Sequence, residues 1–269
     1  MNLERPRPKS WPLAAQDITL TLTANAGILL QFQGHKWLID GLHTGNSAFS
    51  GVPAALLDQI MAGAHPFDGI EGLCFTHLHE DHCLASVLER YRAEHPHTPV
   101  YLPPAVGEGV PQEAEGLASA LARSGGPVTV LTKPKESISL GPDLTLTAFS
   151  FPHSGVEFHD VAHDCLLFSL AGCQVLFMGD AKQDPEGLSG LFSAYDIHTA
   201  VINPLFLTMG QGREALALLR PSKLVICHIP FAWEDTMRFR EMVVRNTLRW
   251  QEQLPPAALL WAPLDTIAL

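Results

Sequence analysis

The sequence predicts an α/β sandwich, with two mixed β-sheets packed face to face and helices on the outer faces. Three observations carry that prediction. In each half of the chain, short apolar runs with strand character come before amphipathic helical stretches, the order expected of sheet-and-helix layers. Several of these runs close on histidine or aspartate, as strands do when they deliver polar groups to a sheet edge. With 269 residues and 46% hydrophobic composition, the chain can bury the core of one large domain spanning 1–269.

The first half opens on strands at Ile18–Leu22, Ile28–Phe32 and Lys36–Ile39, with Gln33-Gly34-His35 turning the last two into a hairpin. A helix from Pro53 to Met61 follows, its proline suited to the first turn. Next come a strand at Ile70–Phe75, a helix from Cys83 to Tyr91, a short strand at Val100-Tyr101 and a helix from Gln112 to Ala122. The turn Ser124-Gly125-Gly126-Pro127 closes this half. The second half repeats the pattern without repeating the sequence. Strands are expected at Val128–Leu131, Leu144–Phe149, Cys165–Leu170, Gln174–Met178, Ala200–Ile202 and Leu224–Cys227, with helices at Arg213–Leu219 and Asp235–Trp250. In the last helix Phe239, Met242, Val243 and Trp250 share one face, and Arg238, Arg245 and Arg249 form a solvated stripe beside it.

The segment Phe75-Thr76-His77-Leu78-His79-Glu80-Asp81-His82 carries the chemistry. In extended backbone, residues two apart point the same way, so His77, His79 and Asp81 share one side and His82 steps off it. Nitrogen and oxygen donors in this pattern suit a borderline cation such as Zn²⁺, and there are enough of them to begin two sites. A metal-free surface loop is the alternative, but the cluster directly follows the apolar run Gly69–Phe75. Three later residues sit at comparable strand ends: His153, Asp180 and His228. Singly, each could be a turn residue, a helix N-cap or a hydrogen-bonded loop histidine. Together, in this order after the cluster, they point to one site.

On these residues the chain resembles the metallo-β-lactamase-fold hydrolase superfamily, from Ile18 through His228 to a closing strand near Leu259–Trp261. The resemblance implies a four-layer αβ/βα sandwich with a binuclear site at one edge. It places His77, His79 and His153 on one metal, Asp81, His82 and His228 on the other, and Asp180 as the bridge. Asn25–Leu30 followed by Leu38–Gly41 is most similar to the ascorbate-6-phosphate lactonase-like branch, where Asp40 would orient a ligand histidine. Ala85 stands where the family often has glycine. The stretch Val156–His163 also makes His159 and His163 rivals of His153, which is favoured because it directly follows its strand. His163 would then be a cleft residue. His35, His65, His95 and His97 are expected to be exposed, His43 to lie in a loop facing the site, and Cys83 and Cys227 to pack in the core.

Two divalent ions, Zn²⁺ first and Mn²⁺ or Fe next, would acidify a shared water and make hydroxide available at neutral pH. The expected function is hydrolysis of a small, anionic ester, lactone or phosphoester. Asp180 would bridge, Asp81 would hold the nucleophile, and His163 or Glu157 would protonate the leaving group. The alternatives are an iron-dependent oxidoreductase of the same fold, or a nuclease or phosphodiesterase. A net charge of −11 weighs against nucleic acid. Five cysteines without C-x-x-C and a charged, proline-broken Met1–Lys9 segment suggest a cytoplasmic address, and no apolar stretch is long enough to span a bilayer. The partner is a small-molecule substrate, and oligomeric state stays open.

Overall fold

The computed structural model describes residues 17–269, so the Met1–Lys9 segment lies outside the described residues. Strands β1 (Ile18–Leu22), β2 (Ile28–Phe32) and β3 (His35–Ile39) form an antiparallel meander. Strands β4 (Gly72–Cys74), β5 (Val100–Leu102) and β6 (Val128–Val130) then add in parallel. Helices α1 (Ala54–Met61), α2 (Ala85–Glu94) and α3 (Leu117–Arg123) make the crossovers that parallel pairing requires.

The second sheet follows the same plan. Strands β7 (Lys135–Gly141), β8 (Leu144–Ser150), β9 (Asp164–Leu170) and β10 (Cys173–Phe177) are antiparallel, and β11 (Ile197–Ile202), β12 (Lys223–Ile226) and β13 (Ala257–Leu259) continue in parallel. The crossovers carry helices α4 (Pro185–Phe192), α5 (Leu205–Thr208), α6 (Gly210–Leu219) and α7 (Phe239–Trp250). A last strand, β14 (Thr266–Ala268), returns to pair with β1, giving two seven-stranded sheets.

Side-chain alternation sets the layers. In β2, Ile28, Leu30 and Phe32 face the core between the sheets, where they meet Leu146, Phe168 and Val175, while Leu29 faces the helices. A second apolar layer lies between the first sheet and α1–α3, and a third between the second sheet and α4–α7, the latter including Val243 and, partly buried, Phe239, Met242 and Trp250. The result is the expected four-layer sandwich of two mixed sheets. All five cysteines are free and buried. No helix among the described residues is long and apolar enough to cross a membrane.

Several boundaries differ from expectation. Strand β6 belongs to the first sheet rather than opening the second. Strand β7 is missed in the sequence because Lys135, Ser137 and Ser139 face solvent and mask the inward Ile138 and Leu140. Glycines at 187 and 190 blur the helical period of α4, whose first turn is capped by the Asp184 carboxylate accepting from Gly187 N–H at 3.1 Å. Asp235 does not begin the last helix but accepts from the amides of Phe239 and Arg240 ahead of it. The closing strand ends at Leu259 rather than starting there. Two histidines expected on the surface are half-buried and bonded: His35 to Glu71 at 2.9 Å, and His95 to the Met61 carbonyl at 2.7 Å.

Candidate metal centre

Four strand ends bring the expected donors to one edge of the sandwich. Past β4, Phe75 still donates to the Tyr101 carbonyl, and the chain then leaves the sheet at Thr76 and His77. The His79 carbonyl accepts from both His82 and Cys83 amides at 2.9 Å, so the backbone turns back and carries Asp81 and His82 inward. His153 follows β8 and makes a single bridge with Ala181, beside Asp180 at the end of β10. His228 follows β12 with a left-handed φ of 60°, and its amide donates to the Asn25 carbonyl on the opposite sheet. Of the seven expected donors, His79 is half-buried and the Asp180 side chain keeps 19% of its surface, whereas the others are buried.

The donors gather into three overlapping trios whose ligand-capable atoms all lie within 4.8 Å of one another. These are His77–His79–His153, His77–His82–Asp180 and Asp81–His82–His228. One Asp180 oxygen lies 3.5 Å from His228 Nε2, and the other 3.8 Å from both His82 Nε2 and His153 Nε2. The Asp81 carboxylate lies 3.4 Å from His228 Nε2.

For four of the five rings an outer partner fixes which nitrogen faces inward. His82 Nδ1 donates to Asp40 at 3.0 Å, and His77 Nδ1 donates to Thr76 Oγ1 at 3.1 Å. That hydroxyl in turn donates to Asp40 at 2.7 Å. His153 Nδ1 donates to the Ser154 carbonyl at 2.5 Å. His79 is reversed: its Nε2 donates to the Glu108 carbonyl at 3.0 Å and leaves Nδ1 as the free lone pair. Inside the cluster, His77 Nε2 and His153 Nε2 are buried without a partner, and His82 Nε2 faces His228 Nε2 at 3.1 Å. Unpartnered nitrogen lone pairs gathered in a buried site are open to a cation, as are those of His43 and His163 beside them. The donor set therefore fits the metal ions the sequence suggests.

The electrostatics agree. Burial disfavours charge on His82, but Asp40, Asp180 and Asp81 outweigh it and hold the ring well above the ordinary imidazole range. His228 is raised against burial by Asp180 and Asp81. Burial opposes charge on Asp180, but His228 and His82 hold its carboxyl well below the usual carboxylate range. His77 is pushed well down, first by burial and then by His82.

The rival histidines separate. His159 is exposed, its Nδ1 donating to the Val156 carbonyl at 3.1 Å. His163 is not a cleft residue. It is buried behind His77, with ring centroids 5.4 Å apart, and its one proton is donated to the Phe151 carbonyl at 3.1 Å. Burial and then the His153 ring push its pKa down to about 3, so the ring is neutral at neutral pH and its one proton is engaged at the Phe151 carbonyl. His153→Ala should remove metal from the His77–His79 side, while His159→Ala should keep the wild-type content by elemental analysis. Loss of metal in the His159 variant alone would reverse the assignment.

His43 lies beneath the cluster, fully buried, accepting from Gly45 N–H, and burial lowers its pKa to about 3. Gly179, at φ 49°, is needed where it stands: a Cβ there would come within 2.7 Å of Thr76 Oγ1 and 2.9 Å of His163 Nε2. Sequence reading missed Asn203, which donates to Asp180 Oδ1 at 3.1 Å and to the Gly179 carbonyl at 3.0 Å. It too ends an apolar strand, β11, so the signal was available. Phe49 and Phe158 were also missed. Phe49 sits edge-on to His228 at 4.4 Å, and Phe158 edge-on to His79 at 5.0 Å and His153 at 5.2 Å. Nothing local in the sequence marks either ring.

The model of the beta-lactamase superfamily domain matches residues 44–229, which contain every donor above. No curated protein sequence matches the chain. Among solved structures it is similar to CmlA, a diiron beta-hydroxylase from Streptomyces venezuelae, at TM-score 0.61 and 17% identity, covering 94% of this chain and 54% of the other. It thus spans about half of that hydroxylase. It is similar along nearly the whole of both chains to Igni18, a metallo hydrolase from the archaeon Ignicoccus hospitalis (TM-score 0.60, 16% identity, 93% and 97% covered). Unliganded yeast PDE1 matches comparably (TM-score 0.63, 14% identity, 94% and 99% covered). At these identities the likeness is one of fold. Matched over residues 44–229 and sharing this sandwich, the chain belongs to the beta-lactamase superfamily and has the metallo-β-lactamase fold.

Proposed function

We propose that the protein is a hydrolase using two divalent metal ions, Zn²⁺ first among the candidates, to cleave a small ester, lactone or phosphoester. One observation carries the reading: His77 Nε2 and His153 Nε2 point unpartnered into the site while His82 Nε2 faces His228 Nε2 at 3.1 Å. His77, His79 and His153 would hold one ion, Asp81, His82 and His228 the other, and Asp180 would serve both. Such ions supply Lewis acidity and a water acidified toward a pKa of about 7. The chain's own part is to orient and shield. Asp40 aligns His82 directly and His77 through Thr76, and Asn203 fixes the Asp180 carboxylate. Asp81, 3.4 Å from His228 Nε2, would also help hold the attacking water. With His163 buried and carrying no spare proton, Glu157 on the exposed loop is left as the candidate for leaving-group protonation. Among the described residues no lysine or arginine bonds to a member of the cluster, so charge on the reacting oxygens would be met by the metals.

Metal and proton compete for the same nitrogens, and the sign follows from the raised His82 and His228. Both rings favour their protons, so metal occupancy should fall as pH is lowered and recover as it is raised. Elemental analysis after equilibration at stepped pH reads this directly, and occupancy indifferent to pH would contradict it. Function itself is tested with a panel of lactones, thioesters and phosphodiesters. Turnover should vanish on chelation and return with Zn²⁺ or Mn²⁺. Activity restored only by iron and only with oxygen would favour an oxidoreductase.

A further inference from the structure

Four loops surround the donors. Segment 44–50 sets Phe49 against His228 and is tied to segment 229–237 by the Phe231 amide donating to Ser50 Oγ at 2.8 Å. Segment 103–111 gives the Glu108 carbonyl to His79. It is tied to segment 154–162, which carries Phe158, by Ala162 N–H to the Val106 carbonyl at 3.2 Å and Glu108 N–H to Asp160 at 3.1 Å. One wall therefore stands over the His79–His153 side and the other over His228.

Both phenyl rings are held from behind. The Asn46 side chain accepts from the amides of Ala48 and Phe49 at 2.9 Å, closing a tight loop under Phe49. Phe158 packs by Gly155 and Gly109, where a Cβ would come within 2.9 and 3.5 Å of its ring. Phe49 and Phe158 are each only half-buried. The same loops carry four of the nine large apolar side chains left exposed among the described residues: Val106, Val156, Trp233 and Met237. That concentration marks an apolar rim rather than scattered surface residues. Charge on the loops has one sign. Glu108, Glu157, Asp160, Glu234 and Asp235 are present, and no lysine or arginine.

We infer that the substrate carries an uncharged apolar arm, an acyl or aryl group held against Phe49 or Phe158, rather than the anionic body the sequence suggested. This rests on the hydrolase reading for the reacting end alone. On these four loops an anionic arm would meet carboxylates, the nearest basic side chains in the adjoining sequence being exposed Lys182 past Asp180 and Arg238, which is paired with Glu241, whereas an apolar arm loses water against two preset rings.

Hydroxamates provide the test, because acetohydroxamate, benzohydroxamate and 4-carboxybenzohydroxamate share one chelating head and differ only in the arm. Affinities are measured by calorimetry on the metal-reconstituted protein. Benzohydroxamate should bind about tenfold more tightly than acetohydroxamate, and the added carboxylate should cancel the gain. Phe158→Ala or Phe49→Ala should remove the gain with metal content unchanged. Equal binding of the first two, tighter binding of the carboxylated compound, or no binding of any by a metal-loaded protein would overturn the inference. So would a gain that survives in both variants, or variants that lose metal instead, since the rings would then only brace the imidazoles. Selective binding without turnover on any ester would leave this inference standing and remove the hydrolase reading.

Discussion

Replacing Asp180 with alanine should empty both metal positions and lower turnover by about a thousandfold, the equivalent of about 4 kcal/mol of lost charge stabilisation. The expectation comes from the two faces of this carboxylate. One oxygen lies 3.5 Å from His228 Nε2, and the other 3.8 Å from His82 and His153. A side chain placed between the trios neutralises positive charge on both, so its removal cannot spare one. Loss of the carboxylate also strands Asn203 Nδ2 at its end, although that amide retains the Gly179 carbonyl and the fold should survive. Elemental analysis and circular dichroism on the same sample separate the effects. A folded variant still carrying two metals would show that Asp180 does not serve both positions.

The second large effect is expected at Asp40, which would touch no metal. Its carboxylate accepts from Thr76 N–H at 2.8 Å, Thr76 Oγ1 at 2.7 Å and His82 Nδ1 at 3.0 Å, all buried. Asp40→Ala leaves these donors unpaired and places alanine at a φ of 48°, and should cost about 3 kcal/mol in all. For a chain of this size that is a fall in Tm of roughly 6–12 °C. Asp40→Asn is the cleaner variant, since asparagine tolerates the left-handed backbone and can still accept one bond. It should keep most of the stability yet bind metal about 10–100-fold more weakly, because the imidazoles lose their orienting charge. Wild-type metal affinity in the asparagine variant would mean that the His82 and His77 rings are held by packing alone.

Much of the fold and the site was legible in the sequence, for identifiable reasons. Strands such as β2, β9 and β10 are buried on both faces and flanked by turns, so their apolar runs stand out. Donors that follow such runs directly, His153, Asp180 and His228, declare their position by where the run stops. Asn203 obeys the same rule and was missed only because an amide is less suggestive than an imidazole. What escaped depends on tertiary structure. The burial of His163, just ahead of β9, follows from β9 pairing with β8, just past which lies the Phe151 carbonyl that takes the His163 proton. The reversed orientation of His79 depends on a carbonyl 29 residues away. Phe49 and Phe158 are ordinary loop aromatics until two separate loops bring them to the imidazoles. Edge elements were hardest to read, since β7 and β14 satisfy one side only and carry half of a strand's usual signal.

Seven side chains gathered in one site should hold two metal ions. Counting metal in the purified protein after removal, reconstitution with Zn²⁺ and exhaustive dialysis decides it. Two equivalents per chain are expected, both removed by the paired His77→Ala and Asp81→Ala substitutions in a protein that remains folded. One equivalent or none in the wild type, or two retained in the paired variant, would contradict it.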